Sequence, residues 1–372
     1  MVMIYRDTAL IYLLSLMAII LTTLKKMNKQ LLLITLLYLS THNANSQTNI
    51  DTTSFNTVME QVNFGNPNFV VIGEHHYINN TFATESFIIE KLAEQGYKNI
   101  YMEGGHSEAA IMNIYLQTGD TSLLKNTRAR VETYRQSLEY IYQTNRKNNY
   151  GLTYSGFDFE RPLCVGYLFS KWFDNANTIS LKKVGEYLGL LDALPPITLA
   201  EVEQRGFKMK TILDSLKSTF NETYYKEILK DNYNLFHKIV YNPVYADFKK
   251  SGLFEKRDPY FIKTMLEEEK QGRLDKSIII TGGSHMIDEG RFIGVLADSL
   301  VGKYSITAFF FVYNNCIDYD SNKPYTSPKS HLKYLNKNLY KNPQINFTQI
   351  KYWIIPTRND EVINIVVGMH NQ

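Results

Sequence analysis

The sequence predicts an α/β fold: a central, mainly parallel sheet flanked by helices, with a long α-helical insertion. Three observations carry this. A short apolar run, Phe69 to Gly73, precedes a stretch from Ala83 to Gln95 that sets Phe87, Ile88 and Leu92 on one helical face, and a second apolar run follows at Asn99 to Met102. A helical crossover between two buried strands sets them parallel, in the right-handed sense that such units almost always take. The second observation is a helical stretch from about 162 to 272, broken by Pro195-Pro196 and Pro243. The third is a return to strand-like runs at Ser277 to Thr281, Ser305 to Tyr313, Tyr352 to Ile355 and Val362 to Val367.

The elements between them follow in order. Gly96 stops the first helix; helices are expected at about 107–117 and 121–146, and a strand from Leu152 to Phe157. Within the insertion, Tyr224, Tyr225, Tyr233, Phe236, Tyr241 and Tyr245 read as helix-packing residues. Residues 47–66, rich in Asn and Thr, read as a tether or a first helix. No internal repeat stands out, so residues 47–372 are expected to form a single domain, with its insertion at about 162–272.

Residues 1–46 read as a leader. The run Leu31 to Leu39 is too short to span a bilayer but has the length of a secretory h-region; Lys29 precedes it, and Ala44-Asn45-Ser46 places small residues before Gln47. A signal peptide at 27–46 is therefore expected, with 1–26 an over-extended start; the alternative is a membrane anchor at 9–24. Without a leader cysteine, the expected product is an exported periplasmic or extracellular protein and not a lipoprotein.

The leader also explains the charge. The chain has 372 residues and a formal net charge of +3, with 40 basic and 37 acidic residues. Arg6, Lys25, Lys26 and Lys29 against Asp7 account for the whole excess, leaving 36 of each sign in residues 47–372. A balanced surface gives no global electrostatic reason to bind nucleic acid, and none is expected as a partner. Cys164 and Cys316 are free to pair in an oxidising compartment, but two buried thiols account for them equally well.

No phosphate loop, dinucleotide fingerprint, nucleophile elbow, H-E-x-x-H or C-x-x-C motif is present. Instead, four strand-like runs each end on acids or imidazoles. Phe69 to Gly73 leads into Glu74-His75-His76, and Ile100 to Met102 into Glu103-Gly104-Gly105-His106. Leu152 to Phe157 leads into Asp158 and Glu160, and Ile278 to Thr281 into Gly282-Gly283-Ser284-His285. In an open parallel sheet these ends share one edge, where α/β proteins hold their ligands. An acid after a strand is also a common helix cap, which would account for Glu103 or Asp158 without chemistry. Of the adjacent pair His75 and His76, one is expected to face the crevice, with His76 favoured. His75, His106, Asp158 and Glu160 are carried forward as substrate-binding candidates.

These residues resemble the erythromycin esterase-like family, within a wider group that includes ChaN-like lipoproteins and Tiki-type metalloproteases. The resemblance runs from about Phe69 to His285. It rests on Gly73-Glu74 with its nearby histidine, Glu103 with the Thr118-Gly119-Asp120 bend, Gly156-Phe157-Asp158, Arg257-Asp258, and an apolar strand ending at His285. It implies hydrolysis of an ester, lactone or related acyl bond in a small-molecule substrate. Carried over by position, the general base falls on His76, the carboxylates on Glu74 and Glu103, a crevice arginine on Arg257 and a second imidazole on His285. No cofactor is required in that reading.

Two departures qualify the likeness. The esterases' G-E-A-T-H would put a histidine where this chain has Tyr77, so Glu74-His75-His76 fits the shorter G-E-x-H of the ChaN-like and Tiki-like branch. The esterases' paired H-N-x-H is replaced by Gly282-Gly283-Ser284-His285. The shorter form is compatible with a divalent metal on Glu74, His76, Glu103 and His285, and with metal-dependent hydrolysis. A non-catalytic haem- or iron-binding protein is the alternative from another class.

Overall fold

A computed structural model of the chain describes residues 67–370, apart from 76–77, 128–131, 175–177, 193–198, 249–252, 287–291, 301–302, 315, 319–322, 326–351 and 357–361. The leader expected at 1–46 lies outside the described residues, and so does the segment 47–66. Among the described residues, no helix is long and apolar enough to cross a membrane.

Seven strands form the main sheet: β1 (Phe69–Glu74), β2 (Asn99–Met102), β3 (Thr153–Gly156), β4 (Ser277–Gly282), β5 (Ile306–Asn314), β8 (Tyr352–Pro356) and β9 (Val362–His370). Their order is β3-β2-β4-β1-β5-β9-β8, and every pairing is parallel except the antiparallel β8–β9 edge. A short hairpin of β6 (Cys316–Asp318) and β7 (Lys323–Tyr325) stands apart from it. The fold is therefore the α/β class expected.

Strands covered on both faces are built from continuous apolar residues, and β1 and β4 are buried along their whole length. Alternation sorts their side chains. Val70 and Ile72 of β1, Ile100 and Met102 of β2, and Ile278 and Ile280 of β4 enter one core, while Phe69, Val71, Tyr101 and Ile279 enter the other.

The first core lies under α1 (Asn79–Glu94), α2 (His106–Thr118), α3 (Glu132–Asn148) and the first part of the helical stretch that follows β3. That stretch comprises α4 (Pro162–Trp172), α5 (Ile179–Asp192), α6 (Leu199–Ser218), α7 (Glu222–Leu229), α8 (Tyr233–Tyr241), α9 (Tyr245–Phe248) and α10 (Leu253–Lys270). α10 departs from the others. Its Phe261 and Met265 join α11 (Phe292–Leu300) in the second core, so the chain crosses to the opposite face of the sheet before β4.

The insertion's aromatics divide. Tyr225, Tyr233 and Phe236 are buried with Phe169 and Phe173, whereas Tyr224 and Tyr241 are exposed. Cys164 is a buried free thiol in α4. The helix expected over 121–146 is two elements: a 3-10 turn at Thr121–Asn126, capped by Asp120 accepting from Ser122 N at 2.9 Å, and then α3. Gly119 ends α2 in the left-handed conformation at φ 70°, at the Thr118-Gly119-Asp120 bend that separates the two expected helices.

Candidate active site

The four strands whose ends carry acids and imidazoles are neighbours in the sheet, in the order β3-β2-β4-β1. Being parallel, they end on one edge. Register then sets the heights: Glu74 lies opposite Gly282, and Met102 lies opposite both Ile280 and Gly156. Glu103, one residue beyond β2, continues the ladder by donating its N–H to the Ile280 carbonyl at 3.1 Å.

Arg257, near the start of α10, is buried among these ends. Its Nη2 donates to Glu103 Oε1 at 2.5 Å and to Asp158 Oδ2 at 2.5 Å, and its Nε donates to Asp158 Oδ1 at 3.1 Å. The Nε/Nη2 fork on Asp158 is the two-point grip that suits a planar guanidinium. The guanidinium also lies 5.2 Å from the Phe159 ring centre and 5.0 Å from that of Phe261. Burial works against its charge, but Asp158 and Glu103 outweigh burial and hold the arginine above its ordinary value. Burial pushes the Asp158 carboxyl up, with Arg257 opposing it. The second oxygen of Glu103 accepts from Thr281 Oγ1 at 3.0 Å and from Gly282 N at 2.6 Å, which ties β2 to the end of β4.

His285 follows on the 3-10 turn after β4 and is 1% exposed. Its Nδ1 is 2.6 Å from Asp258 Oδ1, and its Nε2 is 3.6 Å from Glu103 Oε1. Asp258 is fixed in turn by Phe292 N–H at 3.2 Å. Burial disfavours the imidazolium, yet Asp258 and Glu103 more than offset that and raise the His285 pKa above its usual value.

Asp258 is the functional group that the sequence reading left without a role. Its neighbour Arg257 was the visible signal, yet side chains one apart on a helix point about 100° from each other. The pair therefore serves two partners: Arg257 takes the carboxylates of β2 and β3, and Asp258 takes the imidazole after β4.

The other candidates fall elsewhere. Glu74 is buried at the end of β1 and His75 is half-buried beyond it; His76 lies outside the described residues, as does Tyr77. Glu160 turns away from Arg257 toward the start of α2. It accepts from His106 N at 2.8 Å, from Ser107 N at 3.1 Å, from the Ser107 hydroxyl and from Asn242 Nδ2 at 2.8 Å. It thus fills, from a distant loop, the capping role that Gly105 has no side chain to perform. A Cβ on Gly105 would collide with this carboxylate, and one on Gly156 would collide with the backbone of Gly104 and Gly105. Burial lifts Glu160 to about 7, and burial lowers the His106 imidazole to about 4 with the Lys238 charge adding to the effect.

Among the described residues, no group of three or more His, Cys, Asp and Glu side chains is arranged to hold a metal ion. The chemistry agrees, because Glu103 is already bonded by Arg257, Thr281 and Gly282 N–H. A guanidinium holds the place between Glu103 and Asp158 that a cation would need. Glu103 and His285 are thus held by protein partners, and His76, the remaining imidazole of the metal alternative, lies outside the described residues.

No protein-family model matches the sequence. No curated protein matches it either. Solved structures do match. A mutant of the erythromycin esterase EreC in its open conformation aligns with a TM-score of 0.52 at 14% identity, over 87% of this chain and 95% of that one. A Bacillus cereus protein gives 0.49 at 16% identity, over 84% and 91%. ChaN of Campylobacter jejuni, which binds cofacial haem, gives 0.33 at 12% identity, over 68% and 85%. The protein therefore has an α/β fold with a buried acid–arginine–imidazole cluster on one sheet edge. More narrowly, its fold is similar to that of the erythromycin esterase EreC.

Proposed function

We propose that the protein is an exported hydrolase that opens an ester or lactone by imidazole-activated water. The observation that carries the reading is the cluster of Glu103, Asp158, Arg257, Asp258 and His285, drawn from β2, β3, α10 and the turn after β4 into one buried network. His76, two residues after Glu74 in the sequence, is the general base in this reading and takes the water proton as the oxygen bonds the acyl carbon. Arg257 Nη1, which makes no bond among the described residues, supplies N–H groups to the oxygen that becomes negative. As the tetrahedral adduct collapses, the C–O bond to the alcohol breaks and the alkoxide takes a proton from the His285 imidazolium. Asp258 holds that imidazole's orientation through Nδ1.

The test is hydrolysis of a panel of lactones and aryl esters by residues 47–372, with and without chelator. Turnover in both conditions is expected, and Glu103→Gln or His285→Asn is expected to lower kcat/KM by about 100-fold or more, the scale of a general acid–base contribution. No turnover in either condition would sink the proposal. Loss of turnover with chelator alone would replace it with metal-dependent hydrolysis.

A further inference from the structure

We infer that Asn242 is a positioning residue for the Asp158–Arg257 pair, fastening the helical insertion to the site through one buried amide. This rests on the hydrolytic reading for what the pair does, but not for the geometry. Asn242 sits at the end of α8, 3% exposed, with an extended backbone at φ −69° and ψ 145°. Pro243 favours that extension, since a residue before proline is pushed out of the helical region. The chain beyond α8 is laid parallel to the loop after β3: Glu160 N donates to the Pro243 carbonyl at 3.0 Å, and Glu160 pairs with Val244 as a β-bridge.

The Asn242 amide spans what this pairing brings together. Nδ2 donates to the Asp158 carbonyl at 2.8 Å and to Glu160 Oε1 at 2.8 Å, and Oδ1 accepts from the Tyr260 hydroxyl. Both donor hydrogens and one acceptor site are in use. Tyr260 is three residues beyond Arg257 on α10, so its hydroxyl reports the position of the same helical turn. Asn242 therefore grips both members of the pair from behind, Asp158 by its backbone and Arg257 through Tyr260. It touches neither charged group. Aspartate is a poor substitute, since a second carboxylate would face Glu160 and the Asp158 carbonyl with no hydrogens to donate.

The test compares wild type with Asn242→Ala and Tyr260→Phe by nitrogen-15 NMR of the arginine side chains and by steady-state kinetics. In the wild type, the Arg257 Nε–H bonded to Asp158 is expected to exchange slowly with solvent, its resonance assigned by loss in Arg257→Lys. In Asn242→Ala it should exchange at least about tenfold faster while the β1 and β4 amides keep their protection, with Tyr260→Phe intermediate. The kcat should fall by about tenfold or more with KM changed by less than about threefold. Unchanged Arg257 exchange in both variants overturns the inference, and so does a lowered melting temperature with unchanged exchange and kcat. If the wild type hydrolyses nothing, the functional proposal fails and the exchange measurement alone decides this one; if Asn242→Ala does not fold, Tyr260→Phe decides it.

Discussion

At the scale of single residues, Glu160 has the clearest experimental signature. Its carboxyl is raised to about 7 from an ordinary value near 4.5, so the folded chain holds a proton there that the unfolded chain releases. Between pH 4.5 and 7 the folded state binds the more protons, and stability falls as pH rises through that window. Replacing Glu160 by Gln removes the titration. The wild type's stability relative to Glu160→Gln should therefore decline by about 3 kcal/mol between pH 4.5 and 7, measured by urea unfolding at each pH. His106 has the opposite sign: lowered to about 4, it contributes stability above pH 6.5 that is lost as pH falls toward 4. Both residues were visible as ionisable groups following strands, but their partners were not. Glu160 meets α2 and Asn242 only because the 158–160 loop and the 242–244 segment run side by side, across more than 80 residues of sequence.

At the scale of elements, the apolar runs of β1, β2 and β4 were legible because strands buried on both faces need an unbroken apolar sequence, whatever lies over them. The 3-10 turn before α3 was not legible, since Leu123 and Leu124 extend the helical spacing while Gly119 and Asp120 end the helix and cap the turn. Nor was the crossing of α10 to the opposite face, because amphipathic spacing marks an apolar side without saying which core it meets. Two predictions belong here. Gly156→Ala would force a methyl into the backbone of Gly104 and Gly105, and since backbone cannot move aside as a side chain can, a loss of about 1–3 kcal/mol in chemical denaturation is expected. Phe236→Ala, at the meeting of Phe169, Phe173, Phe220 and Tyr225, should cost about 3–5 kcal/mol, read from the same unfolding curves.

At the scale of the molecule, the charge arithmetic separates a basic N-terminal segment, residues 1–46, from a balanced remainder, and if that segment is a leader the expected behaviour differs between them. Exported material should have an intact mass that starts at Gln47, and this product, with 36 charges of each sign, should show no affinity for a duplex at 0.15 M salt by fluorescence anisotropy. A species that retains residues 9–24 would instead support the anchor. The four acid- and imidazole-bearing strand ends were readable from sequence as a set, and their adjacency follows from parallel pairing. What ranks them, Arg257 binding two carboxylates and Asp258 binding the imidazole, depends on a helix more than 95 residues downstream of β3.

The sheet order has a consequence for how such a chain is made. β1 and β2 follow one another in sequence but are not paired, because β4 lies between them, and among the described residues β1 pairs with β4 and β5. β1 must therefore wait for residue 282 before its first partner is complete, 208 residues after its own end at Glu74. At about 5–20 residues per second, that interval is about 10–40 s on the ribosome, with apolar strand edges unpaired throughout. Pairing between strands so distant in sequence is slower to form than pairing between neighbours, and it leaves the edges of β1 open for longer. Shortening the insertion would reduce the wait, but it would also remove the segment that ends in Asn242.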